Sequence, residues 1–197
     1  GQKMSKSLGN FVVVRDALTR WRGEEIRWLL LSAHYRQPLD WTEAGLQQAR
    51  SNLDRVYTAL RRSGATSTST TPDSGLERVR SALCDDFNTP LAFTELMALV
   101  GRLNRAEGPS ERDGLVAAIR AAGALLGVAG DSAESWFQTG SNELAAEEID
   151  ALIAKRKAAR ADKDFATSDQ IRDALLDQGV VLEDGADGTT WRYQADS

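Results

Sequence analysis

The chain has 197 residues, 42% hydrophobic and 27% charged, which is enough ordinary globular composition to bury a core in one large or two small domains. A formal net charge of −5 argues against non-specific polyanion binding by the whole molecule, so an RNA partner would need a local basic patch. Cys84 is the only cysteine and His34 the only histidine, which excludes an internal disulfide and a soft-ligand zinc site within this chain.

Lys3-Met4-Ser5-Lys6-Ser7-Leu8-Gly9-Asn10 opens the chain directly after Gly1 and Gln2, and the sequence is expected to be part of a longer one. Lys3 and Lys6 place compact charges within reach of phosphate oxygens. Ser5 and Ser7 can bond the same oxygens or cap the next helix, and Gly9 lets the backbone turn. Asn10 to Val14 reads as a strand or an extended link. Asp16, Ala17, Leu18 and Trp21 predict a short helix ending near Gly23. Ile26, Leu29 and Leu30 predict another over 24–32, which Pro38 keeps from continuing. Thr42-Glu43 opens a longer helix with Leu46, Ala49, Leu53, Val56 and Leu60 on one face, running out at Arg61-Arg62.

Residues 63–75, rich in Ser, Thr and Gly, form a linker between a first segment at 1–62 and a helix bundle at 76–142. Within the bundle, helices are predicted over 76–83, 90–105 and 111–126, with Leu91, Phe93, Leu96, Leu99, Val100 and Leu103 as a core stripe. Asp85 and Asp86 read as structural caps rather than a metal pair. Asn88 or Thr89 is the helix cap before Pro90, and Cys84 a small buried hydrophobe. Residues 127–142 are a looser connection pinned by Trp136 and Phe137. The last unit, 143–197, starts with a helix whose apolar face carries Ile149, Leu152 and Ile153 and continues through Arg156 and Arg160. A second helix over 166–178 stops on Gly179, and two Asp-Gly steps between β-formers predict a terminal hairpin. The expected fold is mainly α with a small mixed α/β end. No run is apolar and long enough for a membrane span, nor does the start look like a signal sequence.

In the last unit Lys155, Arg156, Lys157, Arg160 and Lys163 cluster near one acid, Asp162, in an otherwise acidic chain. Such a run is usually a solvated helix face, but its neighbours suit unpaired bases. Phe165 can stack, Arg160 and Arg172 can donate in parallel pairs, and Asp169 and Asp184 can accept a base amino proton.

The opening octapeptide resembles the KMSKS loop of class I aminoacyl-tRNA synthetases. His34-Tyr35-Arg36 with Pro38-Leu39, Asp85 to Pro90 (DDFNTP) and Gly179 to Arg192 (GVVLEDGADGTTWR) narrow the resemblance to bacterial cysteinyl-tRNA synthetases across essentially the whole chain. The resemblance implies that Lys6 contacts ATP, brought with Mg2+ as substrate, and acts in catalysis. Lys3 either contacts phosphate or supports the loop, and Ser5 and Ser7 are structural. It implies cysteine activation and transfer to tRNA(Cys) by a cytoplasmic, monomeric parent enzyme. The HIGH motif, Rossmann core and zinc site of that enzyme would lie upstream, so this chain alone is expected to be inactive. Residues 1–62 become the loop and a stem-contact segment, with His34 a packing or backbone-bonding residue. Arg160, Asp169, Arg172 and Asp184 fall where the family contacts its anticodon, and Phe165 stands where some relatives carry tryptophan. Two alternatives are a cysteine ligase of mycothiol synthesis, in which the terminal hairpin would be idle, and a stand-alone RNA-binding module.

Overall fold

A computed structural model describes residues 11–64, 72–138, 146–185 and 188–193. The Lys3–Ser7 loop lies outside the described residues. Within them the fold is mainly α, with one antiparallel hairpin at the end. The chain divides into two compact units, the first reaching Ser132 and the second starting at Ala133.

In the first unit, residues 11–13 pair with no strand, and Val13 leads in extended conformation into α1 (Val14–Ala17). Gly23 begins α2 (Gly23–Leu31) instead of ending a helix. The reason is local: Arg22 is extended, and its N–H donates to Glu25 Oε2 at 2.8 Å, which satisfies a donor at the helix start. In α3 (Glu43–Ser63) the Thr42 hydroxyl accepts from the Gly45 N–H at 3.0 Å. Its predicted stripe is buried, together with Tyr57 and Ala59. Gly64, at φ 59°, ends the helix in the left-handed region that favours glycine. Ala17, Ile26, Leu29 and Leu46 form one small core, against which Trp21, Leu39 and Trp41 pack.

Helices α4 (Leu76–Cys84), α5 (Thr89–Leu103) and α6 (Pro109–Leu126) pack on one another, and α5 and α6 also pack on α3. Trp28 of α2 stacks on Phe93 of α5 with ring centroids 4.1 Å apart. Phe93, Leu96, Leu99, Val100 and Leu103 are buried as the spacing predicts, but Leu91 is exposed. It lies on the face of Glu95 and Arg102, not on that of Ala92, Leu96 and Leu99. Cys84 is exposed as well, because the covered face of α4 is Leu76, Val79 and Ala82. Residues at the end of the expected linker are docked: Asp73 pairs with Arg102 of α5 and accepts from the Gly75 N–H at 2.7 Å. After α6 the chain is also fastened, since Glu24 accepts from Tyr57 Oη at 2.8 Å and from the Gly130 N–H at 2.9 Å.

Two stretches that carry the family resemblance meet here. Asp86 is not a cap. Its Oδ1 accepts from Tyr35 Oη at 2.7 Å and its Oδ2 lies 3.0 Å from Arg36 Nε, while its carbonyl lies 3.0 Å from His34 Nε2. Asn88 is the cap of α5, accepting from the Leu91 N–H. Asp86 and Phe87 both have positive φ, 49° and 52°, and this turn aims the carboxylate back at the His34–Arg36 segment.

The second unit comprises α7 (Ala133–Gln138), α8 (Ala146–Ala161), α9 (Phe165–Asp177), β1 (Val180–Gly185) and β2 (Gly188–Tyr193). The looser connection expected at 127–142 therefore contains a short helix, whose Trp136 is buried and which packs on β2. Helix α8 packs on α9, and α9 on β1. Ile149, Leu175, Val180 and Trp191 form the core, with Leu152, Ile153, Ile171, Leu182 and Tyr193 around it. The hairpin register runs from Val180 opposite Tyr193 to Gly185 opposite Gly188. Gly179, at φ 72°, turns the chain from α9 into β1.

Candidate nucleic-acid interface

The turn between α8 and α9 sets the geometry of the basic region. The Asp162 N–H returns to the Ala158 carbonyl at 3.0 Å and the Asp164 N–H to that of Ala159 at 2.8 Å, with Lys163 left-handed at φ 60° between them. Asp164 then caps α9, its Oδ1 accepting from the Thr167 N–H at 3.1 Å, and that bonding holds its carboxyl below the usual range. Helix α9 consequently starts on Phe165, a residue that is 62% exposed. Phe165, Asp169 and Arg172 follow at i, i+4 and i+7 and are all exposed, while Ser168 and Leu175 face the core. The sequence-predicted trio thus forms one solvent-facing row on one helix.

Lys155, Lys157, Arg160 and Lys163 are exposed, as a phosphate-contacting face requires. Arg156 is different: it is buried, and its Nη1 and Nη2 donate to Asp184 Oδ1 and Oδ2, each at 3.0 Å. The alternation of β1 explains the encounter. Val180, Leu182 and Asp184 share the face that covers the helices, so the acid at the end of that row meets the arginine at the end of the α8 core stripe. Thr189, directly opposite in the hairpin, donates to Asp184 Oδ1 at 2.6 Å, and Arg160 Nη1 lies 3.3 Å from Oδ2. Arg156 and Thr189 hold the Asp184 carboxyl far below the usual carboxylate range. Arg160 and Asp184 are therefore brought together, with the acceptor positions of Asp184 already taken within the chain.

Arg156 is the residue that sequence reasoning undervalues. Its place on the Ile149–Ile153 line and the in–out alternation of β1 are both visible in the sequence, but only the hairpin register joins them. Another hairpin contact supports the same unit: Trp191 Nε1 donates to Asp150 Oδ1 of α8 at 2.9 Å. Among the described residues, no three His, Cys, Asp or Glu side chains converge as a metal site would need, and no helix is long and apolar enough to cross a membrane.

Comparison with known proteins adds the decisive observation. Residues 143–192 match the family model of the cysteinyl-tRNA ligase anticodon binding domain, and a cysteine–tRNA ligase of Rhodospirillum rubrum is 52% identical over 195 residues. The chain belongs to the cysteine–tRNA ligase family. Residues 1–51 match the class I (C) tRNA synthetase catalytic domain and residues 78–130 the DALR domain. Cysteine–tRNA ligases of Paramagnetospirillum magneticum and Parvibaculum lavamentivorans are 47% and 46% identical over 194 and 193 residues. These relatives are matched over 97–98% of this chain but only 41–42% of their own length, and the match is to their C-terminal part. In this family's terms α8, α9 and nearly all of the hairpin fall within the anticodon-binding match, and α5 and α6 within the DALR match.

Proposed function

We propose that this chain is the tRNA-reading part of a cysteine–tRNA ligase, which activates cysteine with ATP and transfers it to tRNA(Cys), and that its second unit reads the anticodon. The observation that carries this reading is the exposed Phe165–Asp169–Arg172 row, lying in the stretch that the anticodon-binding model matches. An exposed aromatic ring offers an unpaired base a stacking surface worth about 1–3 kcal/mol. Arg172 supplies paired donors to a base edge and Asp169 an acceptor for an amino group, so neighbouring positions on one helix test complementary features of a base. Lys155, Lys157 and Lys163 neutralise phosphates and supply affinity without sequence preference.

Lys6, outside the described residues, is proposed to stabilise the charge that develops as pyrophosphate leaves ATP, with Lys3 supporting the loop or sharing the phosphates. The zinc of the parent enzyme would be bound by residues outside this chain. In the whole enzyme, Lys6→Ala is expected to slow cysteine activation by about 10²-fold or more.

The test of anticodon reading is filter binding of the 197-residue chain to tRNA(Cys) and to transcripts with substituted anticodons. Anticodon substitution should weaken binding about tenfold or more, the usual penalty for a lost base contact. Equal affinity for all transcripts would leave a purely electrostatic RNA surface and overturn the reading.

A further inference from the structure

Resting on the anticodon reading above, we infer that buried Arg156 is a positioning residue for base recognition: it fixes Asp184 as an acceptor, and Arg160 occupies the acceptor position that a base amino group takes over.

Asp184 has four acceptor positions, two on each oxygen. Arg156 Nη1 and Thr189 Oγ1 fill those on Oδ1, at 3.0 and 2.6 Å. Arg156 Nη2 and Arg160 Nη1 fill those on Oδ2, at 3.0 and 3.3 Å. These four bonds are not equivalent. The Arg156 side chain is only 6% exposed and grips both oxygens in a planar fork, which fixes the carboxylate in position and in rotation. Arg160 is 52% exposed and makes a single bond, the longest of the four. Asp184 itself is 48% exposed, so an incoming donor can reach it, and the bond it can displace is that of Arg160.

The exchange is balanced in hydrogen bonds. A base N–H takes the place of Arg160 on Oδ2, and the released guanidinium, already at the site, turns its donors to a base acceptor or a phosphate. A base lacking an amino group at that position would have to leave Arg160 where it is. One movement then couples an acceptor test to a donor test.

The burial of Arg156 argues that its task is more than packing. Among the described residues its Nε is buried without a hydrogen-bond partner, a cost that an apolar side chain at the end of the α8 core stripe would avoid. What an apolar residue could not do is hold the carboxylate in place and keep it charged. The charge of Asp169 also acts on Arg156, so one buried guanidinium lies within the field of both acids nominated for base reading.

The experiment uses the full chain and tRNA(Cys) transcripts in which one anticodon amino group at a time is removed: guanine to hypoxanthine, adenine to purine, cytosine to 2-pyrimidinone. For one of these deletions the wild-type chain should lose about tenfold or more in affinity, and Asp184→Ala should not feel it. Arg156→Met should lose sensitivity to that same deletion, Arg156→Lys should recover part of it, and the salt dependence of both should stay wild-type, because a buried group contacts no phosphate. Arg160→Ala should keep the sensitivity, its acceptor position now open. Circular dichroism and melting temperature establish folding first. If Arg156→Met does not fold, Arg156→Lys decides on the same criterion, reduced sensitivity supporting the inference. Full wild-type sensitivity in the folded Arg156 variants would overturn the positioning role while sparing the anticodon reading. An Asp184→Ala chain that still feels every deletion would remove Asp184 from base recognition, and the positioning role with it.

Discussion

The carboxylate of Asp73 receives both terminal nitrogens of Arg102, Nη1 at 2.6 Å and Nη2 at 2.8 Å, and so ties the segment before α4 to the last turn of α5. The Asp73 side chain is 18% exposed and that of Arg102 34%, so water screens the pair only in part. The Arg102 bonds hold the Asp73 carboxyl below its ordinary range. Asp73→Asn is therefore expected to cost about 1–2 kcal/mol at pH 7, measured by urea denaturation. The pH dependence has a definite sign. A depressed folded-state value means stability that is fully present above the unfolded value, near pH 3.9, and lost as pH falls through the folded one. The gap between wild type and variant should thus narrow towards pH 3, and a constant gap would mean that the ion pair is not its source.

Glu25 works in the opposite direction. It is buried, and burial pushes its carboxyl up despite the Arg22 N–H bond and the nearby Arg50. A raised folded-state value means that the folded form binds the proton more readily, so this group adds stability as pH falls through the folded value towards the unfolded one, near 4.3. Glu25→Gln keeps an acceptor for the Arg22 N–H and should stay within about 1 kcal/mol of wild type at pH 7. Wild type should gain on the variant as pH is lowered from 7 towards about 4.3. Loss of ground over that interval would contradict the assignment.

The correction at Leu91 is directly measurable. Leu96 is fully buried between helices, whereas Leu91 is 41% exposed on the same helix. Leu96→Ala should cost about 2–5 kcal/mol, since it removes packed atoms and leaves a cavity. Leu91→Ala should cost well under half as much. Equal losses in chemical denaturation would restore Leu91 to the core.

How far the sequence reveals this molecule depends on whether a partner is local. The α3 stripe and the terminal hairpin are legible because the first repeats at helical spacing and the second is marked by Asp-Gly steps between β-formers. Cys84 and Leu91 mislead because apolar character says that a side chain can be buried, while packing decides which face is covered. The Asp86 turn is hidden because two non-glycine residues take positive φ, and the side chains that donate to the Asp86 carboxylate lie about fifty positions earlier. The exposed row on α9 is readable residue by residue. The Arg156–Asp184 pair is not, because its partners are 28 positions apart and only the fold of the second unit joins them.

Phe165 and Asp164 are neighbours with separable roles. Phe165 is largely exposed, so Phe165→Ala should change stability by no more than about 0.5 kcal/mol. Its effect should fall on tRNA binding, at about 1–3 kcal/mol for a lost stacking surface. Asp164→Ala removes the α9 cap and should lower the melting temperature, whereas Phe165→Ala should not. Melting curves and filter binding on both variants separate the roles. A Phe165 variant that loses stability but keeps its tRNA affinity would make the ring a structural element.

Asp169→Ala distinguishes reading from mere attraction. Asp169 is exposed on the row with Phe165 and Arg172, in a unit that also carries exposed lysines. If the surface only attracted phosphates, deleting a negative charge would strengthen binding to every RNA, and most at low salt. If Asp169 accepts a base amino proton, the deletion should instead weaken the cognate tRNA(Cys) by about 1–3 kcal/mol and leave anticodon-substituted transcripts nearly unchanged. Lys155→Ala should behave in the contrary way, weakening all transcripts alike and lowering the salt slope by about one ion. Binding isotherms at several salt concentrations, with cognate and substituted tRNA, supply both readouts. Tighter binding of Asp169→Ala to cognate and substituted tRNA alike would make this acid a solvated group and leave recognition to the arginines.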